Sequence, residues 1–312
     1  MPPVNRNEPK RAKSSESQYS LMEFMKAYPD DAACLESLWR NRYSPDGEHA
    51  YCPNCETERV FKRYDTAQQR QSWTCTACAH RLHPTAGTIY HKSSTSLHLW
   101  FYATYLMAST RCGISAKQME RELGVTYKTA WRMCYLIRNV LMEQTDELFS
   151  GTVEADETYI GGRRKGTPRG RPGPGSHKAT VFGVVERGGR VMAVTVPNVR
   201  KATLMPHLTK KVLPRETVYT DELKSYNDLT KAGYVHDRVN HSEQVYVSGD
   251  VHTNTIEGFW SLTKNGIRGV YHSVSTKHLQ GYLNEYAWRY SHRDDAEPMV
   301  ETLLLRAARP TN

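Results

Sequence analysis

Three acidic residues stand where a sheet and a helix could bring them together. Asp156 lies in the strand-like run TVEADETYIGG, Asp221 ends the run TVYTD, and Glu257 lies early in the helix-like segment NTIEGFWSLTKNGI. Such carboxylates can hold two Mg²⁺ ions, because magnesium prefers oxygen ligands and keeps waters for a substrate phosphate. Two ions roughly 3.5–4 Å apart activate an attacking oxygen and stabilise a leaving one. The three acids therefore predict metal-dependent phosphoryl transfer.

Neighbouring polar residues offer alternatives to each acid. Glu154 lies two residues before Asp156, so a strand turns both side chains to one face, whereas Glu157 points to the other face. Asn254 lies one helical turn before Glu257, on the same side of the predicted helix. Each acid taken alone fits a solvated surface equally well, and it is the joint pattern that favours a metal site.

Two basic residues follow Glu257 at helical spacing. Lys264 lies two turns further along the same side of the helix, where it could neutralise a DNA phosphate beside the metals. Arg268 continues that face, and a solvated helix face explains Arg268 alone equally well. His241 and His252 precede this helix and could contact DNA or orient an acid.

Four of the seven cysteines form two Cys-x-x-Cys pairs, Cys52 with Cys55 and Cys75 with Cys78. Nineteen residues separate the pairs, which is typical of a four-cysteine zinc ribbon. Two such pairs complete a closed tetrahedron with no position for a substrate, so the zinc is predicted to be structural. Accidental spacing and two disulfides are the alternatives, and the odd number of cysteines argues against disulfides.

A helical region follows the ribbon and contains a helix-turn-helix pattern. Ser115 can cap a short helix that ends before Gly124, and Thr126 can cap the longer helix that follows. The second helix would present Lys128, Thr129 and Arg132 near its start, where such motifs read base edges. An ordinary helical hairpin is the alternative.

A basic segment, GGRRKGTPRGRPGPGSHK, separates two predicted strands. Its glycines and prolines disfavour regular structure. A cationic loop beside a candidate catalytic acid favours contact with nucleic acid, because each phosphate contact releases counterions. A solvated linker is the alternative reading. The candidate DNA contacts in this loop are Arg163, Arg164, Lys165, Arg169 and Arg171.

The whole chain has 312 residues, a formal net charge of +9 and 38% hydrophobic residues. No window approaches the roughly 18 apolar residues of a membrane helix, and the N-terminus has no apolar signal core. We therefore expect a soluble intracellular chain with an anionic partner. Alternating strand and helix patterns after residue 150 predict an α/β domain with a mixed sheet. The predicted order is a disordered arm (1–18), a helical lead-in with the ribbon (19–92), the helix-turn-helix-like segment (93–148), the α/β domain (149–296) and a tail (297–312).

Several of these segments together resemble the transposases of bacterial insertion sequences. The segments VEADETYIGGRRKG, VYTDELKSY and HTNTIEGFWSLTKNGIRGVYHSVSTKHLQGYLNEYAWRYSHR resemble the catalytic motifs of the family numbered fifteen ninety-five, and FMKAYPDDAACLESLWRNRYSPDGEHAYCPNC resembles its ribbon entry. The resemblance covers about residues 20–293. It implies a ribonuclease H-like domain after the ribbon, with an acidic triad at Asp156, Asp221 and Glu257 followed by Lys264. Some members of the family carry asparagine at the third position, so Asn254 is kept as an accessory candidate.

The resemblance also implies the reaction and the partners. Metal-activated water would cut a phosphodiester at the element's end, and the freed 3′ hydroxyl would attack target DNA. Two Mg²⁺ or Mn²⁺ ions, one Zn²⁺, double-stranded DNA and a homo-oligomer on DNA are expected, in the bacterial cytoplasm near the nucleoid. Three rival interpretations stay open: a DNA-binding regulator without catalysis, a nuclease on the same fold, and a copy that folds but no longer transposes.

Overall fold

A computed structural model describes residues 18–64, 72–161, 178–239 and 250–311. Contacts divide the chain into two compact units, Met1–Leu141 with Arg293–Asn312 and Met142–His292. The predicted arm lies outside the described residues except for Gln18, and so do all five candidate residues of the basic loop and His241. Within the described ranges, no helix is both long enough and apolar enough to cross a bilayer.

The first unit begins with two short helices and a small sheet. Ser20 and Asp30 cap the two helices by accepting hydrogen bonds from backbone N–H groups three residues on. The sheet is antiparallel in sequence order, and Trp39 of the second helix stacks on Trp73 at 4.7 Å between ring centroids. This stack joins the helical lead-in to the sheet. The elements are α1 (Leu21–Ala27), α2 (Asp31–Arg42), β1 (His49–Cys52), β2 (Thr57–Tyr64), β3 (Ser72–Cys75) and β4 (Arg81–Leu82).

Three helices follow, and the second and third of them begin where the capping residues Ser115 and Thr126 predict. They are α3 (Leu97–Ser109), α4 (Ala116–Leu123) and α5 (Tyr127–Leu136). Ser115 and Thr126 accept the capping hydrogen bonds of α4 and α5. Gly124 ends α4 in the left-handed region with φ of 64°, a conformation that favours glycine. The helix–turn–helix geometry thus follows from capping residues visible in the sequence.

The second unit is built on a five-stranded mixed sheet in the order β7-β6-β5-β8-β9. Strands β5, β6 and β7 form an antiparallel meander, and β8 and β9 run parallel to β5. A tight hairpin joins β6 to β7, with Gly188 at φ of 73°. The strands are β5 (Thr152–Ile160), β6 (Ala179–Glu186), β7 (Val191–Val196), β8 (Thr217–Thr220) and β9 (Val235–Arg238).

Helices cover both faces of this sheet: α6 (Lys201–Lys211) one, and α7 (Asn254–Gly266) and α8 (Leu279–Ser291) the other. Side chains of β5 alternate between the two cores, so Val153 and Ala155 pack on the α6 side. Ile160 packs on the α7 side. Even-numbered residues of β5 therefore face α7.

The register of β5 and β8 places two acids side by side. Ala155 pairs with Thr220 in this parallel ladder, so Asp156 and Asp221 come next on adjacent strands, at the carboxyl end of β8. In open α/β sheets this edge is where ligands bind.

The chain then returns to the first unit. Met299–Ala307 form helix α9, in the segment for which the sequence predicts a tail. Leu303 and Leu304 of α9 are buried, and α9 packs on α3. Arg306 donates a hydrogen bond of 3.0 Å to the carbonyl of Leu141. The C-terminal segment is therefore part of the core of the first unit.

Candidate active site

A compact group of three carboxylates lies at the carboxyl end of β8. One oxygen each from Asp156, Glu157 and Asp221 lies within 4.8 Å of the other two. Oxygen ligands of one octahedral magnesium are separated by about 3–4 Å, so small side-chain shifts would suffice to bind a cation. The donor set, three hard oxygens, suits Mg²⁺ or Mn²⁺.

Asp156 is held by the helix that packs over it. The indole Nε1 of Trp260 in α7 donates a hydrogen bond of 2.9 Å to Asp156. The indole fits because Gly183 pairs with Asp156 across the sheet; a Cβ there would lie 2.4 Å from the Trp260 ring. Burial raises the pKa of Asp156 to about 7, and the charges of Asp221 and Glu257 also raise it.

Glu157 is the member of this group that sequence reasoning assigned to no role. As predicted, it lies on the other face of β5 from Asp156, where the Tyr226 hydroxyl donates a 2.8 Å hydrogen bond to it. Its carboxylate nevertheless joins the acid group, because β8 ends beside it and Asp221 follows at the sheet edge. Burial and the neighbouring Asp221 raise its pKa to about 8. One feature of the sequence could have identified Glu157: it directly follows Asp156, at the level where β8 ends.

Glu257 and Lys264 lie on the exposed side of α7 and face Asp156. These three residues line one pocket together with Thr158, Trp260, Ser261, Asn265 and Arg268. Glu257 accepts a 3.0 Å hydrogen bond from the Thr253 hydroxyl. Burial lowers the pKa of the Lys264 ammonium, while nearby Asp156 raises it. The predicted triad is thus brought into one area, although the compact acid group contains Glu157 in the place expected for Glu257.

Asn254, the accessory candidate, is the first residue of α7 and is exposed. It shares the outer side of the helix with Glu257, as its spacing predicts. Among the described residues that line the pocket beside Asp156, Asn254 does not occur.

Glu154 is buried and anchors the start of α7. It accepts hydrogen bonds from the backbone N–H groups of Thr255 and Ile256, at 2.8 and 3.0 Å, and from the Thr255 hydroxyl. Arg187 donates to the same carboxylate at 2.7 Å, and His252 lies 3.2 Å from it. A carboxylate at a helix N-terminus is favoured by the unpaired N–H groups there. Glu154 therefore fixes the position of α7 relative to β5.

The four predicted zinc ligands come together in the first unit. One sulfur atom from each of Cys52, Cys55, Cys75 and Cys78 lies within 4.8 Å of the others, with 3.5 Å between Cys52 and Cys78. A zinc tetrahedron with bonds of about 2.3 Å has sulfurs about 3.8 Å apart. A hydrogen bond from the side chain of Asn54 contributes most to lowering the pKa of the Cys78 thiol to about 6. The cluster therefore fits a closed Zn²⁺ site.

The helix-turn-helix candidates lie at the start of α5. Lys128 and Arg132 are exposed, and the Arg132 guanidinium lies 5.8 Å from the ring centroid of Trp100. Thr129 is half-buried, and its hydroxyl lies 3.1 Å from that of the capping residue Thr126. Lys128 and Arg132 are therefore accessible to a ligand, whereas Thr129 takes part in the cap.

Comparison with known proteins finds one matching domain profile and two similar sequences, which agree with one another. The profile of the ISXO2-like transposase domain matches residues 148–291. A protein of the transposable element ISH50 in Halobacterium salinarum is 29% identical over 284 residues, which cover 85% of this chain and 93% of the relative. A transposase-like protein of Haemophilus influenzae is 34% identical over 105 residues, which cover 34% of this chain and 84% of the relative.

Two solved structures show a weaker similarity. They are a pre-cleavage Mos1 transpososome and a Mos1 strand transfer complex, each with 13% identity and a TM-score of 0.27. The matches cover 63% and 65% of this chain, and 75% and 73% of the Mos1 chains. A TM-score this low supports no conclusion about this chain. The domain profile and the two sequence relatives agree with each other, and on their evidence the chain belongs to the IS1595-like transposases.

Proposed function

We propose that this transposase cuts and joins DNA by metal-dependent phosphoryl transfer on a ribonuclease H-like domain, with an acidic triad of the D-D-E type. The observation that carries the proposal is the acid group of Asp156, Glu157 and Asp221, whose oxygens lie within 4.8 Å of one another. Like charges this close repel, and a bound cation relieves that repulsion. The mixed sheet with helices on both faces supports the fold assignment.

Asp156, Asp221 and Glu257 are the proposed ligands of two Mg²⁺ or Mn²⁺ ions. Asp156 belongs to both the compact acid group and the pocket that contains Glu257, so it connects the proposed ligands with one another. Glu157 would act either as a further metal ligand or as a neighbouring carboxylate that contributes to the electrostatics of the group. When bound, the ions supply an activated oxygen nucleophile and charge stabilisation at phosphorus.

The side chains of this domain would orient the DNA for two in-line displacements. In the first, a water oxygen bonds to phosphorus and the bond to the 3′ oxygen breaks, which leaves a 3′ hydroxyl. In the second, that hydroxyl attacks a target phosphodiester and displaces another 3′ oxygen. Lys264, half-buried beside Asp156, would hold a DNA phosphate, and Arg268 would extend this contact.

Other parts of the chain would bind the element ends. Lys128 and Arg132 at the start of α5 would read base edges as in a helix-turn-helix protein, a role that their exposure supports, with Thr129 as part of the cap. A structural Zn²⁺ at the four cysteines would hold the ribbon. We also propose that the segments predicted from the sequence are functional modules, with the predicted tail counted in the first unit, and that a homo-oligomer pairs two DNA ends near the bacterial nucleoid.

Strand transfer in vitro tests the catalytic proposal. Labelled DNA that carries the element's own ends is incubated with a target plasmid, Mg²⁺ and wild-type protein or the variants Asp156→Asn, Glu257→Gln and Glu157→Gln. Asp237→Asn, an exposed carboxyl on the adjacent strand β9, is the matched control. We expect joined products with wild type and the control, at least a hundredfold fewer with Asp156→Asn (about 3 kcal/mol), and none in EDTA.

The other outcomes separate the rival functions. Specific binding of the ends without cleavage in Mg²⁺ or Mn²⁺ would indicate a regulator or an inactive copy. Cleavage without joining would indicate a nuclease. Retained activity in Glu257→Gln together with its loss in Glu157→Gln would reassign the third ligand to Glu157, and full activity in Asp156→Asn would contradict the metal site.

A further inference from the structure

A second pocket lies beside the acid site and shares two residues with it. Lys264 and Arg268 line both pockets, one on the side of Asp156 and Glu257 and the other toward the end of β5. The second pocket has a cavity volume of about 100 Å³. Its remaining lining residues are Tyr159, Ile160, Gly161, Lys178, Ile267, His272, Ser273 and Val274.

The chemistry of this second pocket combines cationic groups with an apolar floor. Lys178, Lys264 and Arg268 supply positive charge, and none of the described residues that line the pocket is acidic. Ile160 and Ile267 are buried beneath it. A phosphate alone would satisfy the cations but not cover the apolar floor, whereas a nucleotide offers both a phosphate and an apolar ring face. A cavity of about 150 Å³ accommodates benzene in another protein, so an open pocket of this size can admit part of a base.

His272 forms one wall of the second pocket, and the backbone around it has an unusual conformation. Residues Ile267–Tyr271 form a π-helical turn at the end of α7, and such turns occur often at functional sites. His272 follows with φ of 60° and ψ of −49°, and Ser273 donates its N–H to the carbonyl of Tyr271 at 2.6 Å. This γ-turn with positive φ is the strained form.

Tyr271 holds this turn in place from the side of the core. Its hydroxyl lies 3.0 and 3.1 Å from the two carboxylate oxygens of buried Glu285, and Arg289 pairs with Glu285 at 2.7 Å. The wall is therefore anchored, and a strained conformation that the surroundings maintain points to a use for the exposed side chain.

We propose that this pocket receives a nucleotide of the substrate DNA whose base has turned out of the duplex next to the cleavage position. The inference rests on the proposed function, because Asp156 marks where the scissile phosphate would lie. Ile160 is four residues along β5 from Asp156, about 13 Å, so the pocket lies within a few nucleotides of the cut. Ile160, Ile267 and Val274 would contact the base, and Lys178 with Arg268 the flanking phosphates.

Fluorescence of 2-aminopurine tests the proposal independently of cleavage. The base is placed singly at the four positions on each side of the cut, in both strands of a DNA that carries the element's end. Complexes with full-length protein are formed in Ca²⁺ and their binding is measured separately. Because 2-aminopurine brightens when it leaves the base stack, we expect a severalfold rise at one or two adjacent positions. A mismatch there should tighten binding about tenfold, since the unpairing cost is already met.

Variants distinguish this pocket from other causes of the signal. Val274→Trp fills the pocket and should abolish the rise, whereas Val235→Trp at an exposed site on β9 should leave it intact. His272→Gly removes the side chain at a φ that glycine accepts, and Lys178→Ala is matched by Lys277→Ala outside the pocket. His272→Gly and Lys178→Ala should weaken the fluorescence rise, and they test the pocket even if Val274→Trp fails to fold.

The outcomes separate this inference from the proposed function. Bound DNA with no fluorescence rise at any position, or a rise that survives all pocket variants, overturns the nucleotide pocket, even if wild type still joins DNA. If inorganic phosphate alone binds in the pocket and no 2-aminopurine position brightens, the pocket is a phosphate site and not a nucleotide site. If wild type binds DNA and gives the fluorescence rise but does not cleave in Mg²⁺ or Mn²⁺, the catalytic proposal is contradicted instead.

Discussion

At the scale of single residues, the acid group is arranged for binding a cation and costs stability without one. The pKa of Asp156 is raised from 3.8 to about 7 by burial and by Asp221, so the folded protein binds a proton there more tightly than the unfolded chain does. Stability from this group is therefore present at low pH and is lost as pH rises from about 4 to above 7.

We expect metal-free Asp156→Asn to be more stable than wild type by about 2 kcal/mol at pH 8. A shift of about three units would correspond to about 4 kcal/mol, and the partial exposure of the carboxylate reduces it. Urea unfolding in EDTA at pH 8 and pH 4 measures the difference, which should nearly vanish at pH 4. Added Mg²⁺ should stabilise wild type only. Equal stability of the two proteins at pH 8 would contradict this electrostatic account.

Glu154 illustrates how two acids on the same strand face have different tasks. It is fully buried and bonded to the start of α7 and to Arg187, so Glu154→Gln leaves Arg187 without its counter-charge. We expect a loss of about 3 kcal/mol in unfolding free energy and a loss of cleavage larger than the unfolded fraction explains, because α7 carries Glu257 and Lys264. Urea unfolding and cleavage are compared with those of Asp237→Asn. Normal cleavage by folded Glu154→Gln would show that α7 does not need this anchor.

The local part of the site was predictable from sequence, and the contacts across elements were not. Strand alternation correctly predicts that Glu154 and Asp156 share a face. The alternation of side chains along a strand does not show that Glu154 lies beneath a helix N-terminus whereas Asp156 remains near the sheet edge. The pattern assigns Glu157 no role for the same reason, because its approach to Asp221 depends on where the neighbouring strand ends.

At the scale of elements, we expect the ribbon to depend on its cysteine cluster. Its four strands are short and most residues of β2 are exposed, so the apolar burial that stabilises them comes from a few side chains such as Phe61 and the stacked Trp39 and Trp73. We expect Cys75→Ser, or a strong chelator, to unfold β1–β4, since structural zinc contributes about 10 kcal/mol or more. The near-ultraviolet circular dichroism of the stacked tryptophans should fall, and one zinc per chain should be released.

Cys112→Ser is the matched control for the ribbon, because Cys112 is an exposed cysteine of the same unit that lies outside the four-cysteine cluster. It should change neither zinc content nor the dichroism. An unaltered spectrum after complete removal of zinc would show that the aromatic stack holds the ribbon without metal.

At the scale of the whole chain, sequence patterns predict where helices and strands lie better than they predict in which of the two units each element packs. Capping residues such as Ser115 and Thr126 give helix boundaries because their hydrogen bonds span only three residues. The segment MVETLLLRA also has a helical apolar pattern, yet its partner α3 lies about two hundred residues earlier in the chain. No local signal specifies that pairing, so the sequence alone predicts only a tail.

The buried face of α9 leads to a prediction about the first unit. Leu303 is fully buried, and Leu305 on the same helix is 50% exposed. Leu303→Ala should cost about 2–5 kcal/mol through lost apolar contact and the cavity left behind, whereas Leu305→Ala should change stability by less than about 1 kcal/mol. Amide hydrogen exchange should become faster in α3 and α9 of Leu303→Ala. Because these helices are distant in sequence, faster exchange in both identifies their packing as the cause, and equal effects of the two substitutions would refute it.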